Sequence, residues 1–182
     1  MKIFGIDPGS DRTGYGCVER LGGRHVLVTC GLLSGRSSAT FPDKLHAIHS
    51  GLVALLREHE PQCVAIENIF YARNVRSALK LGHARGVALL AASEAGVPVV
   101  EYAPAEIKRA VVGYGRAEKH QVQQMIGLLL GLPRPPSPHD VADALAVAIC
   151  HLNITSAPAV AQVQAHQARK VPRSWREYRP QR

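Results

Sequence analysis

The sequence predicts an α/β fold in which a mixed five-stranded sheet is flanked by helices. Two observations support this. The first 35 or so residues carry three strand-like segments whose connections are too short to hold a helix, which favours an antiparallel meander. From residue 41 onward, helical apolar patterns alternate with short apolar runs of strand length. A strand reached through a helix is normally parallel to its predecessor, so the later strands should extend the sheet in parallel.

The meander begins with a strand that ends in a turn. Residues 3–6 are a short apolar run, and Asp7-Pro8-Gly9-Ser10 is strong turn chemistry. Because Pro8 cannot donate a ladder hydrogen bond, the strand should stop near Asp7. The second and third strands are predicted over 13–19 and 25–33.

The later elements follow from apolar spacing and from Pro and Gly punctuation. Gly82 and Gly86 weaken the second helix but allow close approach to a sheet or to another subunit. The last helix is so apolar beyond its first turn that it must be buried on most sides. We predict a helix over 41–60, a strand over 63–67, a helix over 75–95, a strand over 98–102, helices over 104–112 and 118–130, and a final helix from Ser137 or Pro138 to about Asn153.

Length and charge limit the possible functions. A chain of 182 residues suits one domain, predicted over 1–155, followed by a basic and largely disordered tail over 156–182. The formal charge of +8 favours a polyanionic partner such as nucleic acid, although an anionic membrane or simple solubility would also fit. Without an apolar run of about 18 residues or a leader segment, we expect a cytoplasmic protein with no membrane span.

The four cysteines are far apart and lack the Cys-x-x-Cys spacing of zinc sites. We therefore expect isolated buried thiols rather than a zinc site or a disulfide framework.

Two predicted strands end in a carboxylate. Asp7 ends the first strand, and Glu67 ends the strand over 63–67, at the carboxyl edge where ligands bind in parallel sheets. A carboxylate at the end of a buried strand needs hydrogen bonds or a cation. Asp7 is therefore a candidate metal ligand, and capping of its own turn is an equally good interpretation.

The last helix adds two more carboxylates. Asp140 and Asp143 are three residues apart, so they share one helix face. Asp140 also fits a capping box with Ser137, whereas Asp143 lies in an apolar run and demands a partner cation. Four carboxylates with few His or Cys favour Mg²⁺ or Mn²⁺. Two such ions about 4 Å apart hydrolyse phosphodiesters, so the residues indicate a metal-dependent nuclease.

Six segments carry a more specific pattern. They are Gly5-Ile6-Asp7-Pro8-Gly9-Ser10 with Thr13-Gly14-Tyr15-Gly16, Ala65-Ile66-Glu67-Asn68-Ile69-Phe70, Ser77-Ala78-Leu79-Lys80-Leu81-Gly82-His83-Ala84-Arg85-Gly86, Val111-Val112-Gly113, Ala117-Glu118-Lys119 and Asp140-Val141-Ala142-Asp143-Ala144-Leu145-Ala146. In this order, from about residue 2 to 153, the chain resembles the bacterial Holliday-junction resolvases of the RuvC family. The tail lies outside the resemblance.

The resemblance implies a ribonuclease H-like fold and a homodimer that makes paired symmetric nicks in a four-way DNA junction. It also implies the branch-migration proteins RuvA and RuvB as partners. The family's four acidic metal ligands fall on Asp7, Glu67, Asp140 and Asp143. Some members have His at the third position, so the neighbouring His139 is a less favoured candidate ligand.

Further DNA-binding residues follow from the same resemblance. Phe70 matches an aromatic that stacks on a base at the crossover, although a core Phe is the alternative. Lys119 matches a lysine near the scissile phosphate, and Lys108 matches a second lysine in the DNA cleft. Plausible phosphate contacts on the wet face of the second helix are Arg73, Arg76, Lys80 and Arg85.

Three rival functions remain open. An actin-like ATPase shares the first strand and turn but needs a second half for which this chain has no room. A junction-binding protein without nuclease activity gains nothing from four carboxylates that face DNA. The closest competitor is another ribonuclease H-like nuclease, for example one acting on ribosomal RNA precursors.

Overall fold

A computed structural model of the protein describes residues 1–35, 38–68 and 75–156. Within these residues the predicted order of strands and helices is confirmed, and their ends agree to within two residues. The elements are β1 (Lys2–Asp7), β2 (Arg12–Leu21), β3 (Arg24–Ser34), α1 (Phe41–His59), β4 (Cys63–Glu67), α2 (Val75–Glu94), β5 (Val99–Tyr102), α3 (Pro104–Val112), α4 (Lys119–Leu129) and α5 (His139–Thr155).

The five strands form one mixed sheet in the order β3-β2-β1-β4-β5. β1 and β3 pair antiparallel with β2, whereas β4 pairs in parallel with both β1 and β5. The predicted meander with parallel extensions is therefore confirmed. Because Ile6 is level with Ile66 across the parallel pair, the ends of β1 and β4 lie side by side.

Helices cover both faces of the sheet. Ile3 on β1 packs into a core shared with α3, α4 and α5, and the next residue, Phe4, packs into a second core with α1 and α2. This alternation is the two-residue period of a strand buried on both faces. No helix in the described part of the chain is both long and apolar enough to cross a membrane.

The first turn of α5 differs from its prediction. Pro138, which has no side-chain acceptor, occupies the N-cap position, and α5 has no side-chain capping hydrogen bond. The predicted Ser137–Asp140 capping box is therefore wrong. Asp140 is the second residue of α5, and its carboxylate forms an ion pair with Arg12 instead.

The backbone of α5 lies directly on the glycines of β1 and β2. A Cβ atom built on Gly5 would be 1.9 Å from the Ala144 carbonyl oxygen, and one on Gly14 would be 2.0 Å from the Asp140 carbonyl oxygen. On Gly16 it would be 2.5 Å from Leu145 Cδ2. Only glycine permits so close an approach, so these positions set the distance between α5 and the sheet.

Gly5→Ala should therefore lower the free energy of unfolding by about 1–3 kcal/mol or more, because α5 must move away from the sheet. Urea denaturation of the variant and the wild type measures the difference. Gly115→Ala is the matched control, since its Cβ would make ordinary contacts at 3.4 Å or more. Equal effects of the two substitutions would contradict the close packing of α5.

Candidate metal and DNA-binding site

The fold brings the four predicted carboxylates to one edge of the sheet. Asp7 and Glu67 are the last residues of β1 and β4, which are neighbours in the sheet. Asp7 is level with Gly14 on β2, and Gly14 touches the backbone of Asp140. One helical turn further along α5, Asp143 faces the same edge.

Burial and mutual repulsion shift the acidity of the two strand-end carboxylates. Burial raises the pKa of Asp7 to about 7, with the negative charges of Asp143, Glu67 and Asp140 adding to the shift. Burial also raises the pKa of Glu67, followed by the charge of Asp143, while Lys119 and Lys108 oppose the rise. Ionising these carboxylates therefore costs electrostatic free energy, and a bound cation would lower that cost.

Two cations partly offset this charge. Lys119 Nζ lies 3.1 Å from Asp143 Oδ2, and the Asp143 carboxylate raises the pKa of Lys119. Lys119 thus provides the partner cation that the apolar run around Asp143 predicts. Arg12 Nε lies 3.6 Å from Asp140 Oδ2. Sequence reasoning missed Arg12, because no spacing signal links the first residue of β2 to α5.

The donor set fits a hard divalent cation. Four carboxylates at one sheet edge supply the oxygen ligands that Mg²⁺ and Mn²⁺ prefer. As their side chains are oriented here, no group of three or more His, Cys, Asp or Glu among the described residues is arranged to hold an ion. The charges of Asp143, Glu67 and Asp140 nevertheless raise the pKa of Asp7, so the four carboxylates interact electrostatically at this edge of the sheet.

A cleft of about 250 Å³ opens beside the carboxylates. Glu67 and Asp143 line it together with the predicted DNA-binding Lys108 on α3 and the predicted catalytic Lys119 on α4. The structure therefore places acidic and basic candidates on the walls of one cleft. The other residues that line it are Pro104, Ile107, Val122 and Ala146.

Comparison with known proteins gives the family. The family model described as "Crossover junction endodeoxyribonuclease RuvC" matches residues 3–151. The chain belongs to the RuvC family. A family member from Syntrophotalea carbinolica, a crossover junction endodeoxyribonuclease, is 53% identical over 151 residues, which cover 83% of this chain and 93% of that protein.

Solved structures of RuvC agree with the fold. The structure of Thermus thermophilus RuvC has a TM-score of 0.78 and 36% identity, covering 85% of this chain and 95% of the other. The same protein in complex with Holliday junction substrate has a TM-score of 0.78 and 33% identity, with the same coverage. The mixed sheet is thus the ribonuclease H-like sheet of RuvC.

The remaining predicted residues have different outcomes. Phe70 and Arg73 lie outside the described residues. Arg76 and Lys80 are exposed on α2, and Lys80 Nζ is 5.7 Å from the centroid of the Phe41 ring. His139 is exposed at the start of α5.

Arg85 does not occupy the wet face of α2. Its side chain is only 13% exposed and forms an ion pair with Glu101, so the expectation that Arg85 faces solvent is wrong. The pattern of small and basic residues on α2 did not distinguish Arg85 from its exposed neighbours.

The raised pKa of Asp7 predicts that Asp7→Asn stabilises the metal-free protein. The ordinary pKa of an Asp side chain is 3.8, whereas Asp7 in the folded protein has a pKa of about 7, so its contribution to stability falls as the pH rises through this range. In EDTA, the gain in unfolding free energy from Asp7→Asn should increase from pH 5 to pH 8. It should reach about 4 kcal/mol and then level off.

Asp43→Asn is the matched control, with the opposite sign. Hydrogen bonds from Thr40 lower the pKa of Asp43, so its ionised form stabilises the start of α1. This variant should be less stable than the wild type at pH 8, and the difference should fade toward low pH. A destabilised Asp7→Asn protein at pH 8 would refute the electrostatic account of the site.

Proposed function

We propose that this chain resolves Holliday junctions as a divalent-metal-dependent endonuclease that makes paired symmetric nicks. One observation carries the proposal: in a RuvC-family chain, four carboxylates meet beside a cleft walled by Lys108 and Lys119. Acidic residues alone would repel DNA, whereas acidic ligands flanked by lysines suit a metal-assisted attack on a phosphodiester. Resolution of a junction serves homologous recombination and DNA repair.

Asp7, Glu67, Asp140 and Asp143 would hold two Mg²⁺ or Mn²⁺ ions. When bound, such ions supply an activated water and stabilise the leaving 3′ oxygen. Lys119 is then free to turn from Asp143 toward the scissile phosphate, where its ammonium stabilises the developing charge. Lys108, which lines the same cleft, would bind the phosphate as well.

Other parts of the chain would contact the rest of the junction. Phe70 follows β4 by three residues and would stack on a base at the crossover, an interaction worth about 1–3 kcal/mol. Arg73, Arg76 and Lys80 would bind phosphates flanking it. The basic tail over 156–182 would add sequence-independent affinity to the nuclease domain over 1–155.

Two symmetric cuts require a two-fold dimer, and α2 offers the surface for it. Val75, Leu79 and Leu90 on this helix are 76%, 60% and 52% exposed. Gly82 and Gly86 leave open space where a Cβ would point, so a second copy of α2 can approach closely. The groove between these residues is lined by Leu45, Ala78, Leu79, Gly82, His83, Gly86, Val87 and Leu90.

The cellular setting follows from the proposed substrate. Chromosomal junctions place the protein in the cytoplasm, where its four free cysteines would stay reduced. RuvA and RuvB, which move the junction point, are the partners that its family implies.

The decisive experiment is cleavage of a synthetic mobile four-way junction beside linear duplex and an RNA hairpin, with EDTA, Mg²⁺ or Mn²⁺. We expect paired nicks in the junction alone and only with metal.

Asp143→Asn should bind the junction with a dissociation constant within about threefold of the wild type but cut at least ~100-fold more slowly, because a ligand is weakened.

Either of two results would refute the proposal. Preferential cutting of RNA would favour another ribonuclease H-like nuclease, and tight junction binding without cutting in any metal would favour a binding protein. Equal loss of binding and cutting in a folded Asp143→Asn variant would refute the ligand role of Asp143.

The dimer surface predicts that Leu79→Glu yields a monomer, since the change buries a charge in the interface. Light scattering of the purified protein would show the change in mass. Leu128→Glu is the matched control: Leu128 is 77% exposed but lies on α4, so this variant should remain a dimer. If Leu79→Glu remains a dimer, the proposed interface through α2 is wrong.

A further inference from the structure

Arg85 reaches from α2 to the edge of the sheet that carries the site. Its Nη1 donates a hydrogen bond of 2.5 Å to the backbone carbonyl oxygen of Glu67. Its Nη2 lies 2.7 Å from Glu101 Oε1 on β5. With 13% of its side chain exposed, the guanidinium is fixed between two strands.

The hydrogen bond from Arg85 to the Glu67 carbonyl oxygen restrains the backbone at the last residue of β4. On the other side of that peptide, the Asn68 N–H donates to the Tyr102 carbonyl oxygen at 2.7 Å, so pairing with β5 continues past the end of β4. The backbone of Glu67 is thereby restrained from α2 and from β5 at once. Its side chain lines the cleft that also contains Asp143 and Lys119.

Only arginine can make this pair of contacts. Its planar fork presents several donors at fixed angles, so one side chain can bond a carbonyl and a carboxylate together. Glu101 also neutralises the guanidinium, which would be costly to bury alone. A DNA phosphate would have to compete with both partners for a side chain that is only 13% exposed, so the observed contacts favour an internal role.

We propose that Arg85 is a positioning residue that fixes the backbone of Glu67 and so aims its carboxylate at the metal ions. The inference rests on the proposed function, since it assigns the orientation of one ligand in that site. Arg85 itself touches neither metal nor DNA. Partners that orient a ligand from outside the coordination sphere typically change metal affinity or activity by about 10–100-fold.

The test compares Arg85→Gln, Arg85→Lys and Glu101→Gln with the wild type in three measurements. These are the single-turnover rate of junction cleavage, the junction dissociation constant with its salt dependence, and the Mn²⁺ concentration that gives half of the maximal thermal stabilisation without DNA. Arg57→Gln is the matched control, because it removes the same charge from an exposed position near the end of α1.

For Arg85→Gln we expect a cleavage rate at least ~10-fold lower, a several-fold higher Mn²⁺ midpoint and a junction dissociation constant within about twofold of the wild type. Arg85→Lys should recover part of both losses, since a lysine can reach one acceptor. Glu101→Gln should have a smaller effect than Arg85→Gln, because the bond from Arg85 to the Glu67 carbonyl survives. Arg57→Gln should match the wild type.

Several results would overturn the inference. A weaker junction dissociation constant for Arg85→Gln, with a salt slope reduced by about one, would make Arg85 a phosphate contact. If the Mn²⁺ midpoint of Arg85→Gln is unchanged, Arg85 has only a structural role. The same holds if the cleavage rate falls only in proportion to the fraction of folded protein. If Arg85→Gln does not fold, an Arg85→Lys protein with wild-type cleavage and Mn²⁺ midpoint would refute it. A wild-type protein that neither cuts junctions nor gains stability with Mn²⁺ would instead overturn the proposed function, and the inference with it.

Discussion

The contact between α5 and the glycines of β1 and β2 determines whether the site can exist. Gly5 and Gly16 let the backbone and Leu145 of α5 lie against the sheet with no side chain between them. Beyond its first turn α5 is almost wholly buried, and each large aliphatic side chain that it buries contributes about 1.5–3 kcal/mol. That packing outweighs the repulsion between Asp143 and the strand-end carboxylates, which would otherwise drive the helix and the strands apart.

Most of the fold could be predicted because its signals are local. Apolar runs and turn residues mark every strand, and strand ends place Asp7 and Glu67 at one edge without knowledge of the tertiary structure. The cation for Asp143 was required by burial, but its assignment to Lys119 needed the fold, because the two residues are 24 positions apart. The prediction that Ser137 caps α5 was wrong for a local reason, because Pro138 occupies the N-cap position.

Arg12 and Arg85 show what sequence patterns cannot supply. Both make ion pairs that depend on side-chain direction, since Arg12 reaches α5 from the start of β2 and Arg85 reaches β4 and β5 from a helix. Arg85 and Lys80 lie on the same helix, yet Lys80 is exposed above Phe41 whereas Arg85 is buried. Both residues are basic and lie among small and apolar residues of α2, so the sequence does not distinguish them. Only the packing of α2 shows which cation faces solvent and which faces the interior.

The two sides of α2 connect two requirements of symmetric cleavage. Its outward side carries Leu79 and the open glycines that suit a second copy, and its inward side carries Arg85, bonded to the backbone of Glu67. In the proposed dimer, α2 would link the two-fold axis to Glu67, the proposed metal ligand, with no loop between them. The distance between the two sites of a dimer would then be set by helix packing, which deforms little, and this suits a substrate whose two scissile phosphates are related by the same axis.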